Sequence, residues 1–128
     1  MMVYFYYFYI KKEKNMQLLV LVLNKVECLP KIMKRFFESG IHGSTIIDSI
    51  GMLQYLGHET VEPPPIFGSL RKYINPSHDP NKTVFVLLKE DQVATARNII
   101  NEVTGGLDKP NVGIMFVIPT VFSEGAGN

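Results

Sequence analysis

The chain has one cysteine, Cys28, and so cannot close a disulfide within itself. That excludes a disulfide-stapled scaffold and fits a protein of the reducing cytoplasm. Set in an apolar helical stretch, Cys28 reads as a packing residue rather than a catalytic thiol. The sequence also has no basic excess: 13 Lys and Arg stand against 12 Asp and Glu, for a formal net charge of +1. Nucleic-acid binding needs a basic stripe or a strongly basic domain, and the densest run here, Lys11-Lys12-Glu13-Lys14, is interrupted by an acid. His42, His58 and His78 stand at no i, i+3 or i+4 spacing and have no cysteine nearby, so one chain does not compose a zinc site. No Ser-His-Asp set is suggested either, because Asp48 and Ser49 are neighbours on a strand and point to opposite faces.

No apolar run is long enough to span a bilayer. Val3 to Ile10 is unbroken but falls well short of the about 20 apolar residues a spanning helix requires. It also lacks the basic start and small-residue end of a signal peptide. Residues 1–15 are therefore read as an extension, with three readings open. It is upstream of a natural start at Met16 or weakly structured, it adds a strand to a sheet edge through its Tyr and Phe content, or it anchors to a membrane surface. Residues 16–128 make one domain, with 46% apolar and 20% charged residues overall, an ordinary globular composition.

What is present is a repeated pattern. Leu18 to Leu23 is an apolar run expected of a buried strand. Leu29, Ile32, Met33, Phe36 and Phe37 follow at i, i+3, i+4, i+7 and i+8, the stripe of an amphipathic helix. Pro30 fits its first turn, and Gly40 ends it. Thr45–Ile50 reads as a strand. After a long interval the same grammar returns. Thr83–Leu88 is a strand, and Asp91 is the expected N-cap of a second helix. Val93, Ala96, Ile100 and Val103 form that helix's stripe with Ile99 beside it, Gly105 is its terminator, and Ile114–Ile118 is a strand closed by Pro119. Leu23 precedes Gly40 by 17 positions and Leu88 precedes Gly105 by the same 17. Two β-α-β units in tandem predict an α+β, ferredoxin-like β-α-β-β-α-β domain: a four-stranded antiparallel sheet with both helices on one face. Its strands are too apolar to leave the other face in water, so oligomerisation is expected to cover it.

The interval 51–82 is far beyond an ordinary connection, and such loops tend to carry function. Pro63-Pro64-Pro65, Pro76 and Pro80 argue against a long helix there. Phe67, Leu70 and Ile74 fall at helical spacing, so Ile66–Ile74 reads as a short helix that docks on its own domain or, with Phe67, Leu70, Arg71 and Tyr73, anchors a partner. Thr45 and Ser49 share a strand face and serve either cross-strand hydrogen bonding or ligand contact. The turn from Thr104 to Gly113 has glycines that let backbone N–H groups approach a phosphate, with Lys109 adding charge. It follows a helix instead of opening one, so it is neither a Walker loop nor a dinucleotide fingerprint. A C-cap and turn explain Gly105, Gly106 and Pro110 equally well.

Together these features resemble the PII signalling family, in its divergent PII-like members, over roughly Gln17 to Val121. The likeness rests on the apolar first strand, the helix ending at Gly40, the run Gly40-Ile41-His42-Gly43-Ser44-Thr45-Ile46 leading into the second strand, and a long loop from Gly51 where the family has its T-loop. The Thr104–Gly113 turn stands where the family has its B-loop. The resemblance implies a cytoplasmic homotrimer without enzymatic activity. Such a trimer senses a small-molecule effector in clefts between subunits and regulates a membrane transporter or metabolic enzyme in nitrogen or carbon metabolism through its loop. It also implies ATP or ADP as ligand, with 2-oxoglutarate in many members and AMP a further candidate here. It places Thr45, Gly51 and Met52 on one side of the cleft, with Ser49 of the same strand face a further candidate, and Gly105, Gly106, Asp108, Lys109 and Gly113 on the phosphate side. No metal and no catalytic residue is implied. Two departures weigh against a full triphosphate: Ile114 follows Gly113 where the family has Lys, and Phe116 to Phe122 has no basic residue where the family's last strand carries two arginines. A mononucleoside phosphate or bicarbonate is the less charged alternative. The family's uridylylation motif is absent around Tyr55 and Tyr73. Two other classes share the fold: a metal-binding trimer resembling the CutA family, and an acylphosphatase-like hydrolase. The hydrolase would need an arginine in the phosphate turn, and Arg35, Arg71 and Arg97 all lie elsewhere.

Overall fold

The computed structural model describes residues 16–59 and 80–125. Residues 1–15 and the expected loop features, Phe67, Leu70, Arg71, Tyr73 and the helix Ile66–Ile74, lie outside the described residues.

Among the described residues, four strands and three α-helices follow in the order β1 (Met16–Leu23), α1 (Leu29–Glu38), β2 (Ser44–Ser49), α2 (Met52–Glu59), β3 (Asn81–Lys89), α3 (Val93–Thr104) and β4 (Gly113–Pro119). The sheet order is β2-β3-β1-β4, with every neighbouring pair antiparallel. This is the ferredoxin-like α+β arrangement that the two β-α-β units predict. β1 and β3 take the centre because they are the most continuously apolar strands, which suits positions bonded on both edges.

Strand alternation divides the sheet. Leu19, Leu21 and Leu23 of β1 and Val84, Val86 and Leu88 of β3 face the helices, where they close on Leu29, Ile32 and Phe36 of α1 and Ala96, Ile99 and Ile100 of α3. Met115 and Val117 complete this layer from β4. Nearly all of these side chains are withdrawn from water, and at about 25 cal/mol per Å² of apolar surface this one cluster is the main source of stability.

The helix ends show how the cluster is sealed. Pro30 sits in the first turn of α1. At the other end Gly40 takes a left-handed φ of 85°, and the Ile41 amide returns to the Phe36 carbonyl at 2.8 Å. That turn folds Ile41 back into the core, as a Schellman-type ending does. The last carbonyls of α3 are capped from the β1–α1 connection, with Lys25 Nζ donating to the Thr104 carbonyl at 3.2 Å and the Cys28 thiol to that of Val103 at 3.7 Å.

Several sequence expectations shift. Asp91 is not an N-cap: it lies inside a short 3-10 turn, Glu90–Gln92, and the Gln92 side chain accepts from the Lys89 amide at 3.0 Å. β2 runs from Ser44 to Ser49 and β3 begins at Asn81, each earlier than the apolar residues alone mark, because backbone pairing extends one or two residues past the apolar run. The long interval opens with helix α2. Prolines exclude a helix only from Pro63 onward, and Met52 to Leu56 are acceptable helix formers. Phe37 is 67% exposed and stacks on His42 at a centroid distance of 4.7 Å instead of entering the core.

The opposite sheet face carries Leu18, Val20 and Val22 of β1, Phe85 and Leu87 of β3, and Ile114, Phe116 and Ile118 of β4. No helix among the described residues covers it, and Ile114 is 60% exposed.

Candidate functional site

One cleft of about 330 Å³ opens at the end of the sheet where β1 finishes and β3 and β4 begin. Its size lies near the lower bound of ligand pockets. It is walled by Gly51 and the first turn of α2 on one side and by Lys109, Asn111, Gly113 and Ile114 on the other. Residues some sixty positions apart in the chain thus meet, because antiparallel pairing of β1 with both β3 and β4 brings those strand ends to one rim. Met52, Leu53 and Gln54 of the first turn of α2 thus share the cleft with Lys109 of the turn before β4.

The floor is a hydrogen-bonded polar chain. Ser49 Oγ donates to Asn81 Oδ1 at 2.7 Å and shares a second 2.7 Å bond with the Thr83 hydroxyl. Asn81 Nδ2 then donates to Asn24 Oδ1 at 3.1 Å. Asn81 is 7% exposed, so this chain sits where an unpaired amide would be costly. It joins the ends of β1, β2 and β3. Gly51 and Asn81 bracket the segment 52–80, and both lie in the cleft wall.

The turn before β4 is built by α3. Thr104 Oγ1 donates to the Ile100 carbonyl at 2.7 Å and accepts from the Gly106 amide at 3.3 Å, while Asn101 Oδ1 accepts from the Leu107 amide at 3.1 Å. The carbonyl of Val112 accepts both the Asn24 and Lys25 amides, at 2.9 and 3.1 Å, and ties the turn to the end of β1. Thr104 is almost fully buried. Thr104→Val keeps its volume but leaves the Gly106 amide without that acceptor, and should cost about 1–2 kcal/mol, measured by urea denaturation.

Of the residues expected at the site, Gly51, Met52, Lys109 and Gly113 line this cleft. Ser49 lies behind it, its hydroxyl engaged across the strands. Gly105, Gly106 and Asp108 form the turn that carries Lys109; a β-carbon at Gly105 would stand 3.6 Å from the Lys109 ammonium. Thr45 is opposite Phe85 on the open sheet face and is not among the lining residues. Four positions along β2 separate it from Ser49, the β2 residue paired with Asn81 of the cleft wall. Sequence reasoning missed Asn24, Gln54, Asn81 and Asn111. The only signals were positional: Asn24 ends an apolar strand, and Asn111 takes a left-handed φ of 65° that asparagine tolerates. Among the described residues no group of three His, Cys, Asp or Glu could hold a metal ion, and no helix is long and apolar enough to cross a membrane.

No protein-family pattern matches this chain, and no curated protein matches it. Solved structures do. The PII protein of Arabidopsis thaliana, in a citrate-bound crystal structure, superposes with a TM-score of 0.56 at 17% identity, over 84% of this chain and 78% of that one. A functionally unknown protein from Pediococcus pentosaceus superposes with a TM-score of 0.56 at 12% identity, over 86% and 96% of the two chains. The chain has a PII-like fold. At these identities the likeness speaks of the fold alone, and the cleft stands on its own geometry.

Proposed function

We propose that this chain is a non-enzymatic PII-like regulator that senses a small ligand in the cleft between α2 and the Lys109–Gly113 turn, and that residues 51–82 convey occupancy to a transporter or enzyme. One observation carries the reading: the root of the long interval is itself a wall of the cleft. Gly51, Met52 and Gln54 face the same space as Lys109 and Gly113, so a ligand seated there contacts the segment that leads into the loop. A ligand that prefers one arrangement of that root shifts the population of loop conformations by its differential affinity. The citrate of the Arabidopsis PII structure makes a carboxylate a reasonable probe here beside the nucleotides.

The open sheet face supports a second part of the proposal, a homotrimer. Ile47, Ile114, Phe116 and Ile118 leave an apolar surface that monomeric proteins rarely expose. Light scattering on the purified protein should report three copies of the 14.5 kDa chain, and a monomer mass would sink the trimer. For sensing, the test is thermal stability against ATP, ADP, AMP, cyclic nucleotides, 2-oxoglutarate, bicarbonate and citrate. A true ligand at 100 times its Kd should add roughly 2.7 kcal/mol of stability. The proposal fails if none of them shifts the transition.

A further inference from the structure

The cleft is lined by apolar side chains and a few polar groups, with little charge among the described residues, and this limits what it can bind. The inference rests on the reading of this cleft as the ligand site. Among the described residues, four carboxamides, Asn24, Gln54, Asn81 and Asn111, line it together with one cation, Lys109, and with no carboxylate. Two neighbouring cations among the described residues are committed elsewhere: Lys25 caps α3 through the Thr104 carbonyl, and Lys82 pairs with Asp48. Lys109 is exposed and has no carboxylate partner among the described residues.

A triphosphate or tricarboxylate drawn partly out of water needs several fixed cations or aligned donors to offset its charge. One ammonium balances one charge. Carboxamides add hydrogen bonds of both senses without net charge, which suits the uncharged polar edge of a ligand. Asn81 Oδ1 accepts from Ser49, and one Asn81 Nδ2 proton goes to Asn24 Oδ1. Among the described residues this leaves the second Nδ2 proton of Asn81 and the Nδ2 group of Asn24 as donors to a ligand. We infer that the cleft selects a ligand bearing a single negative charge, held by Lys109, with its uncharged polar part read by Asn24 and Asn81. These two asparagines are then specificity-determining residues.

The test is isothermal titration of the full chain at constant ionic strength. Cyclic adenosine monophosphate, AMP, ADP and ATP raise the charge while base and sugar stay the same, and bicarbonate and citrate make the same contrast without a nucleoside. A singly charged probe should bind at least ten-fold more tightly than ATP and citrate. Whether that probe is the cyclic nucleotide or bicarbonate separates a nucleotide source from a small inorganic one. Lys109→Met changes one exposed side chain, and should weaken the tight-binding probe by roughly ten- to a hundred-fold, the worth of one charged hydrogen bond. Tighter binding of ATP or citrate than of either singly charged probe would overturn the inference and leave the cleft as a ligand site. Unchanged affinity in Lys109→Met would overturn it as well. Binding of none of the six probes would overturn the inference, and the sensing function falls with it if 2-oxoglutarate also fails to bind.

Discussion

Replacing Phe36 with alanine should cost about 3–5 kcal/mol, a large share of the roughly 5–15 kcal/mol that holds a domain of this size together. Phe36 is the largest of the fully buried side chains, 1% exposed, and its ring lies between α1, the sheet and α3. It is also the residue whose carbonyl accepts the Ile41 amide, so the helix ending packs directly over it. The cavity left behind has no polar partner for water and cannot relax cheaply, since the sheet on one side is tied by two ladders. Calorimetry should show a fall in Tm of roughly 10–30 °C, or no cooperative transition at all. The adjacent Phe37→Ala is the control. Phe37 is 67% exposed and touches His42, so its loss should change stability by no more than about 0.5 kcal/mol. Equal effects at the two positions would mean that α1 is rotated about its axis relative to the core described above.

Gly113→Ala should be the second most damaging change, although it adds one methyl group at a partly exposed position. A β-carbon there would lie 2.5 Å from the Val22 carbonyl oxygen and 3.2 Å from Leu23 Cα, both of them backbone. Neither can move aside without breaking the pairing of Leu23 with Gly113 that starts the β1–β4 ladder. The φ of 156° adds a conformation that L side chains rarely adopt. Together these should cost about 2–4 kcal/mol, read by urea denaturation. Because Asn111 and Ile114 flank the displaced residue in the cleft wall, ligand affinity should fall at temperatures where the variant is still folded. Gly51→Ala separates the two effects: its β-carbon would meet only the Asn81 side chain, at 3.5 Å, an ordinary contact. It should cost less than about 1 kcal/mol while still narrowing the cleft. A Gly113→Ala protein as stable as the parent would show that β4 does not start so close against β1.

Much of the fold was legible because periodicity is a one-dimensional property. An apolar run, a 3.6-residue stripe and a terminating glycine each follow from local sterics and burial, and twice in succession they name a β-α-β unit. The strand boundaries were less legible, since Ser44, Asn81 and Gly113 join the ladder through backbone groups that every residue has. The stripe of α1 held both Phe36 and Phe37. Only docking against the sheet decided which ring was buried, because residues one apart on a helix differ by about 100°. Part of the candidate cleft's lining was legible as well. Gly51, Met52, Lys109 and Gly113 carry recognisable loop and glycine patterns, whereas Asn24 and Asn81 are single polar residues at strand ends with no motif.

The sequence by itself determined the order of the four strands and of α1 and α3, the two-layer α+β architecture and the near-neutral charge of the chain, because each depends on residue type and spacing. The tertiary structure alone decided that the end of β1, the start of β3, the root of α2 and the turn before β4 share one rim. It also decided that Ser49, Asn81 and Asn24 join into one chain of hydrogen bonds and that Lys109 stands beside them as the one charged lining residue among those described. Those are distances between residues remote in sequence, and they are set by the register of the antiparallel ladders rather than by any local preference.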